Sequence, residues 1–138
     1  MVHALQEAQR VLVPYGLLID LRPLSVDVPL EILTPVGYQS AGLLDMSPGI
    51  KYDIAADNTF QVAIHDGNFN ELLVDYLDYA YYWDTITEMK AYMDEKWKDD
   101  LIIPEAVLQQ AQFLFDRHPD QSRVRLRLRM KLGKFEKQ

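Results

Sequence analysis

The sequence predicts a mixed α/β (or α+β) fold. A helix, a tight turn and an apolar strand follow one another in residues 3–23, two amphipathic helices occupy residues 85–115, and a strictly alternating strand covers residues 123–132. The chain has 138 residues, 49% of them hydrophobic, which suits a single domain spanning residues 1–138 with its own core.

The N-terminal stretch predicts a helix, a turn and a strand. Its apolar residues recur at helical spacing: Leu5, Ala8, Val11 and Leu12. Pro14 cannot continue a helix, and Gly16 tolerates the positive φ of a chain reversal. The apolar run Leu17–Ile19 then leads to Asp20, Arg22 and Pro23. An unbroken apolar run is typical of a strand that is covered on both faces, so we expect this strand to be buried.

The same stretch carries a family resemblance. Its residues are Glu7, the runs Arg10-Val11-Leu12 and Pro14-Tyr15-Gly16, and the strand ending in Asp20-Leu21-Arg22-Pro23. This pattern resembles the E-x-x-R-V-L-x-P-G-G-x-L-L-x-D segment of class I S-adenosylmethionine-dependent methyltransferases, which forms the fifth sheet strand and the helix before it. Tyr15 stands where the family usually has the first glycine.

The resemblance implies the C-terminal half of a Rossmann-like methyltransferase sheet. In that family the last strand is antiparallel and lies between the fifth and the sixth, so we expect segment 123–132 to lie next to segment 17–21. A glycine-rich turn and an acidic residue on earlier strands hold the methyl donor there. This chain has six glycines without a G-x-G cluster. The resemblance therefore implies no cofactor site of the chain's own, with S-adenosylmethionine bound only if a partner completes the site.

Residues 26–45 predict a hairpin that is added to this sheet. Apolar residues alternate through the first half, and Thr34-Pro35-Val36-Gly37 suits a tight turn. Pro29 removes one donor from the strand ladder, so we expect its strand to lie at an edge of the sheet.

Two segments fit either a helix or a strand. Residues 55–66 alternate like a strand, but they also give one helical face, and Gly67 is well placed to end a helix. Residues 70–82 are rich in tyrosine, which favours a strand, although one helical face fits as well. We interpret the first segment as a helix and the second as a strand, because the methyltransferase family has a helix and its sixth strand there.

Two helices follow. Thr85 and Glu88 form a capping-box pattern at the start of the first. Its apolar stripe consists of Ile86, Met89, Met93 and Trp97. Pro104 suits the first turn of the second helix. Its apolar face consists of Val107, Leu108, Ala111, Leu114 and Phe115. Both stripes are predicted to be packing surfaces.

The last strand carries a ladder of cations. One face is apolar, and the other consists of Arg123, Arg125, Arg127, Arg129 and Lys131. The net charge of the chain is −7, yet residues 121–138 carry +6 and the rest −13. Buried cations need partners. One interpretation pairs them with acidic helices of the same domain. The other is nucleic-acid binding, against which the overall acidity argues.

Four residues are candidate substrate-binding residues. Asp20 and Arg22 share a face at the carboxyl end of their strand, where α/β sheets bind ligands. Asp20 could orient a substrate and Arg22 could hold an anion, but both could equally form structural ion pairs. Tyr79 and Tyr81 could line a pocket for a planar ligand, or could belong to the core or an interface.

The sequence predicts no catalytic or metal-binding residues. It contains no serine-hydrolase order, phosphate loop or metal motif, and its lack of cysteine excludes disulfides and thiolate zinc sites. His3, His65 and His118 are too scattered to form a metal site, and we interpret His65 as a surface or capping residue.

The predicted sheet edge indicates a partner. In a complete methyltransferase another strand covers Leu17–Leu21, and an unpaired apolar edge invites strand pairing. We therefore expect a homodimer, or a second polypeptide, bound through this edge or the aromatic segment. Three functions follow: a non-catalytic interaction or ligand-binding module, a subunit of a methyltransferase completed by a partner, and nucleic-acid binding. Without an apolar run long enough for a membrane span, or a secretion signal, the expected location is the cytoplasm.

Overall fold

A computed structural model describes residues 2–138 and confirms the mixed α/β prediction. The elements are α1 (Val2–Val11), β1 (Leu17–Pro23), β2 (Val28–Thr34), β3 (Gly37–Leu44), α2 (Ile50–His65), β4 (Phe69–Trp83), α3 (Ile86–Lys96), α4 (Glu105–Asp116) and β5 (Arg123–Lys137), with a 3₁₀ turn at Ser47–Gly49. Antiparallel pairing joins β1 to β5, β5 to β2 and β2 to β3, and β4 also pairs with β5. The predicted hairpin and the antiparallel C-terminal strand are both present.

The chain divides into two compact units. The first contains the residues up to Leu24, together with Lys51–Leu77 and Met130–Gln138. The second contains Ser25–Ile50 and Asp78–Arg129. Strands β4 and β5 contribute residues to both units.

In the first unit, β1 pairs with the C-terminal part of β5. The register runs from Leu17 opposite Glu136 to Pro23 opposite Met130. The pairing with the last strand was predicted, but Leu132–Glu136 lies opposite Leu17–Leu21, so segment 123–132 meets this stretch only at Leu132. The predicted segment was wrong in its bounds because β5 continues five residues beyond residue 132.

The prediction that β1 is covered on both faces is wrong. The side chains of Leu17, Ile19 and Leu21 are 48%, 55% and 54% exposed, whereas the alternate residues of the strand are half-buried. An apolar run shows that both faces could be buried, but only one face of β1 meets other residues of the first unit.

The core of the first unit lies on the covered face. It consists of Leu5, Phe60, Ala63, Phe69 and Phe135. The rings of Phe60 and Phe135 stack with their centroids 4.4 Å apart. Gly133 makes room for this stack, because a Cβ there would lie 2.6 Å from the ring of Phe135.

Both ambiguous segments have the predicted structure. Residues 55–65 fall within α2, which begins earlier, at Ile50, and ends one residue before Asp66. After the helix, Gly67 adopts a φ of 73°, and Asn68 N–H bonds to the carbonyl of Ala63, which closes the last turn. Residues 70–82 form most of β4. His65 is exposed at the end of α2, and its Nδ1 lies 3.3 Å from Asp66, as expected for a surface histidine.

In the second unit, β2 is an inner strand and not the predicted edge strand. It pairs with β3 along its whole length and with β5 from Leu30 to Leu33. Pro29 is compatible with this position because it lies one residue before the β5 pairing begins.

The predicted cap of α3 and most residues of the two predicted stripes are confirmed, whereas Pro104 is the N-cap residue of α4 and precedes its first turn. Thr85 Oγ1 accepts a 3.1 Å hydrogen bond from Glu88 N–H at the start of α3. The buried residues of α3 and α4 are Ile86, Met89, Met93, Val107, Ala111, Leu114 and Phe115. Across residues 2–138, each helix is too short or too polar to cross a membrane.

Candidate functional site

The outer edge of β1 is an open strand edge of the first unit that carries exposed apolar side chains. Within residues 2–138, β1 pairs with β5 and with no other strand. The three exposed side chains, Leu17, Ile19 and Leu21, alternate along the strand and therefore lie on one face. The first unit thus presents an open edge and an apolar stripe side by side.

The hydrogen-bond pattern shows which residues face the open edge. Lys137 N–H bonds to the carbonyl of Gly16 at 2.9 Å. In an antiparallel ladder the bonded residues alternate, so residues 18, 20 and 22 bond toward β5. The N–H and C=O groups of Leu17, Ile19 and Leu21 are then directed to the opposite side. The residues that expose apolar side chains are also the residues with main-chain groups available for another strand.

Asp20 and Arg22 lie together in an ion-pair network at the covered face of β1. Arg22 Nε bonds to Asp20 Oδ2 at 2.8 Å, and its other nitrogens bond to the carboxylate of Asp57 and, at 3.4 Å, to the carbonyl of Asp53. Lys131 Nζ bonds to the same Asp57 carboxylate at 2.8 Å. These partners occupy the Arg22 guanidinium, which favours the structural ion-pair interpretation over anion binding.

The network also sets the charge states of its members. Burial by itself lowers the pKa of Arg22, but its bonds to Asp57 and Asp20 outweigh burial and raise it. Burial likewise raises the pKa of Asp57, whereas the hydrogen bonds from Lys131 and Arg22 lower it below its ordinary value. Both shifts favour the charged forms of Arg22 and Asp57, as a structural ion pair requires.

Tyr79 and Tyr81 belong to an aromatic cluster of the second unit. The other members are Trp83, Tyr92 and Trp97. The centroid of the Tyr81 ring lies 5.2 Å from that of Tyr79 and 4.9 Å from that of Trp97. At these separations the rings contact one another directly, so the cluster is packed and does not enclose a ring-sized ligand. Substrate binding by the four predicted residues stays a prediction.

The arginine ladder finds most of its carboxylate partners within the second unit. The carboxylate of Glu31 accepts 2.6 Å bonds from Arg125 and Arg127, and its side chain is only 7% exposed. Arg123 pairs with Asp84 and Arg129 with Asp78, both at 3.1 Å. The predicted intramolecular pairing is therefore present. The expectation that the acidic groups lie on helices is wrong for these three, since Glu31 and Asp78 lie on strands and Asp84 follows β4.

Two tyrosines flank the ladder. The guanidinium of Arg125 lies over the ring of Tyr38, and that of Arg123 lies over Tyr82. The two hydroxyls are 3.4 Å apart. Hydrogen bonds from Tyr38 and Arg125 lower the pKa of Tyr82. These contacts give Arg123 and Arg125 further partners within the second unit.

Sequence reasoning did not identify Glu31, Asp57 or Lys131 as partners. The excess of negative charge outside residues 121–138 indicated that such partners exist, but not which ones. In residues 2–138 no group of three potential metal ligands is close enough to hold an ion.

No protein-family model, curated protein or solved structure matches this chain. The candidate site is therefore defined by its own geometry.

Proposed function

We propose that the protein is a methyltransferase-like interaction module, without a methyl-donor site of its own, that pairs with a second copy of itself through β1. The observation that carries this proposal is the open edge of β1, whose apolar residues Leu17, Ile19 and Leu21 are each about half exposed. An exposed, apolar, unpaired edge is a template for strand pairing.

The sequence of β1 suits antiparallel pairing with itself. A two-fold axis at Ile19 places Ile19 opposite its counterpart and Leu17 opposite Leu21 of the second copy. These three residues direct their main-chain groups to the open edge, so the arrangement forms three hydrogen-bonded residue pairs. It also joins the two apolar stripes on one face. Shifting the axis to Leu21 brings in Pro23, which has no N–H to donate.

The edge is tested by a pair of matched substitutions. We expect the wild-type chain to sediment as a dimer at high micromolar concentration, and Ile19→Lys to sediment as a monomer. Ile54→Lys is the control, because Ile54 lies on α2 of the same unit and is equally exposed, at 55%. A monomeric wild type, or an Ile19→Lys variant that remains dimeric, would overturn the proposal.

The register is tested by cross-linking. The chain has no cysteine, so Ile19→Cys introduces a single thiol. Residues of a hydrogen-bonded antiparallel pair have Cα atoms about 5.5 Å apart, a separation that a disulfide spans. Mild oxidation should link the Ile19→Cys variant into a covalent dimer, while Ile54→Cys stays uncross-linked.

A second candidate is a methyltransferase subunit whose donor site comes from a different polypeptide bound at the same edge. The open edge favours it as well, because in the methyltransferase family another strand lies there. Calorimetry with S-adenosylmethionine separates the two functions. The dimeric module binds none, whereas the subunit binds it once its partner is added. Tight binding by the isolated chain would contradict the absence of a donor site.

A further inference from the structure

A cleft between α1 and α2 in the first unit is independent of the β1 edge. Its volume is about 280 Å³. The floor is apolar and consists of the buried residues Leu5, Ala63 and Phe69, with Val62 beside them. This volume lies just below the range of about 300–1,000 Å³ that is common for ligand pockets, so the cleft suits only a small ligand of one or two rings.

Side-chain amides form the rim of the cleft. Four of its lining residues carry a carboxamide: Gln6, Gln9, Asn58 and Asn68. Gln9 Nε2 donates a 2.6 Å hydrogen bond to Asn68 Oδ1. This bond holds the two amides against each other and leaves the second atom of each amide available, Gln9 Oε1 as an acceptor and Asn68 Nδ2 as a donor. One acceptor and one donor at the same rim match a ligand that has both an N–H and a C=O.

The charge of the rim restricts the ligand further. Among residues 2–138, Asp66 is the lining residue with a charged side chain. Its carboxylate disfavours a negatively charged ligand at this rim. The ligand that suits the cleft best is therefore not an anion.

We propose that this cleft binds a neutral planar ring that bears an amide edge, the chemistry of a pyrimidine nucleobase. The apolar floor contacts the ring face, and the Gln9–Asn68 pair bonds to the amide edge. The proposal goes beyond the β1 pairing and does not depend on it.

The test is a titration with uracil, followed by the side-chain NH₂ signals of the isotope-labelled protein. We expect saturable shifts at Gln6, Gln9, Asn58 and Asn68, with a Kd on the order of 1 mM. The NH₂ signals of Gln109 and Gln112 on α4 are the internal control and should not move. Uracil that produces no saturable shift would overturn the proposal.

Two analogues and two variants test the chemistry. 1,3-Dimethyluracil lacks the N–H donors and orotate adds a carboxylate, so each should bind at least ~10-fold more weakly. Gln9→Leu should weaken uracil binding by a similar factor, whereas Gln112→Leu on α4 should not. Should Gln9→Leu fail to fold, Val62→Trp at the exposed wall provides the same test by filling the cleft. Equal binding of uracil and dimethyluracil, or undiminished binding by the folded cleft variant, would refute the amide-edge assignment.

Discussion

At the scale of single residues, Tyr15 has a backbone conformation that is unusual for a residue with a side chain. It has a φ of 63°, in the left-handed region that favours glycine. For a residue with a Cβ this conformation costs roughly 1–2 kcal/mol. The turn into β1 is therefore strained at this position.

We predict that Tyr15→Gly raises the free energy of unfolding by up to ~1 kcal/mol, because relief of the strain exceeds the backbone entropy that glycine loses on folding. Tyr15 is 73% exposed, so little packing is lost. Val13→Gly is the control: Val13 is 69% exposed and has no positive φ, and the substitution should lower stability by about 0.5–1 kcal/mol. If urea titrations show that both variants lose the same free energy of unfolding, the backbone at Tyr15 is not strained.

At the scale of the elements, Glu31 on β2 forms ion pairs with two arginines on β5. Its buried carboxylate accepts bonds from Arg125 and Arg127 on the neighbouring strand. Arg125 is itself half-buried and stacked on Tyr38. Removing the shared carboxylate would leave two guanidinium groups close together without their counter-charge.

We predict that Glu31→Gln lowers the free energy of unfolding by about 3 kcal/mol, because it leaves partly buried arginines unpaired. Asp78→Asn is the matched control. Asp78 also pairs with a ladder arginine, but its side chain is 57% exposed, and the loss should be below about 1 kcal/mol. If denaturant titrations show similar losses of unfolding free energy for the two variants, the burial of Glu31 does not strengthen its contribution to stability.

The elements of this fold were predictable where local signals decide them. Capping residues and apolar stripes located α3 and α4, and the alternation after residue 122 located β5. The exposure of β1 was not predictable. An apolar run shows that both faces of a strand are suited to burial, but it does not show which elements pack against them. Pro29 was misleading for a related reason, since its missing N–H excludes a partner only at its own position in β2.

The candidate site was predictable in part. The spacing of Asp20 and Arg22 placed them on one face, and they bond to each other. Asp57 and Lys131 are far away in the sequence, and no local pattern marks them as partners. Tyr79 and Tyr81 were recognised as part of an aromatic segment, but Tyr92 on α3 joins them only through tertiary packing.

At the scale of the whole molecule, charge is unevenly distributed along the chain but locally balanced. Residues 121–138 carry +6 in a protein of net charge −7. The exposed ladder cations Arg123 and Arg129 each have a carboxylate partner. A nucleic acid binds more tightly when unpaired cations of the protein displace the counterions that surround its phosphates. Arginines that already pair with carboxylates displace few of these counterions, and the net negative charge of the chain repels the nucleic acid.

We therefore predict that the wild-type chain does not bind single-stranded oligothymidylate in filter assays at low salt. The double variant Asp78→Asn/Asp84→Asn removes the two exposed carboxylates from the ladder and should gain binding that weakens steeply as salt is added. The control Asp94→Asn/Glu95→Gln on α3 changes the net charge by the same amount and also removes exposed partners of lysines. It therefore separates the effect of unpairing the ladder arginines from the effect of net charge. Binding gained equally by both double variants would show that net charge, and not the neutralised ladder, keeps nucleic acid away. Salt-dependent binding by the wild type would show that the ladder is available to a polyanion despite its pairing.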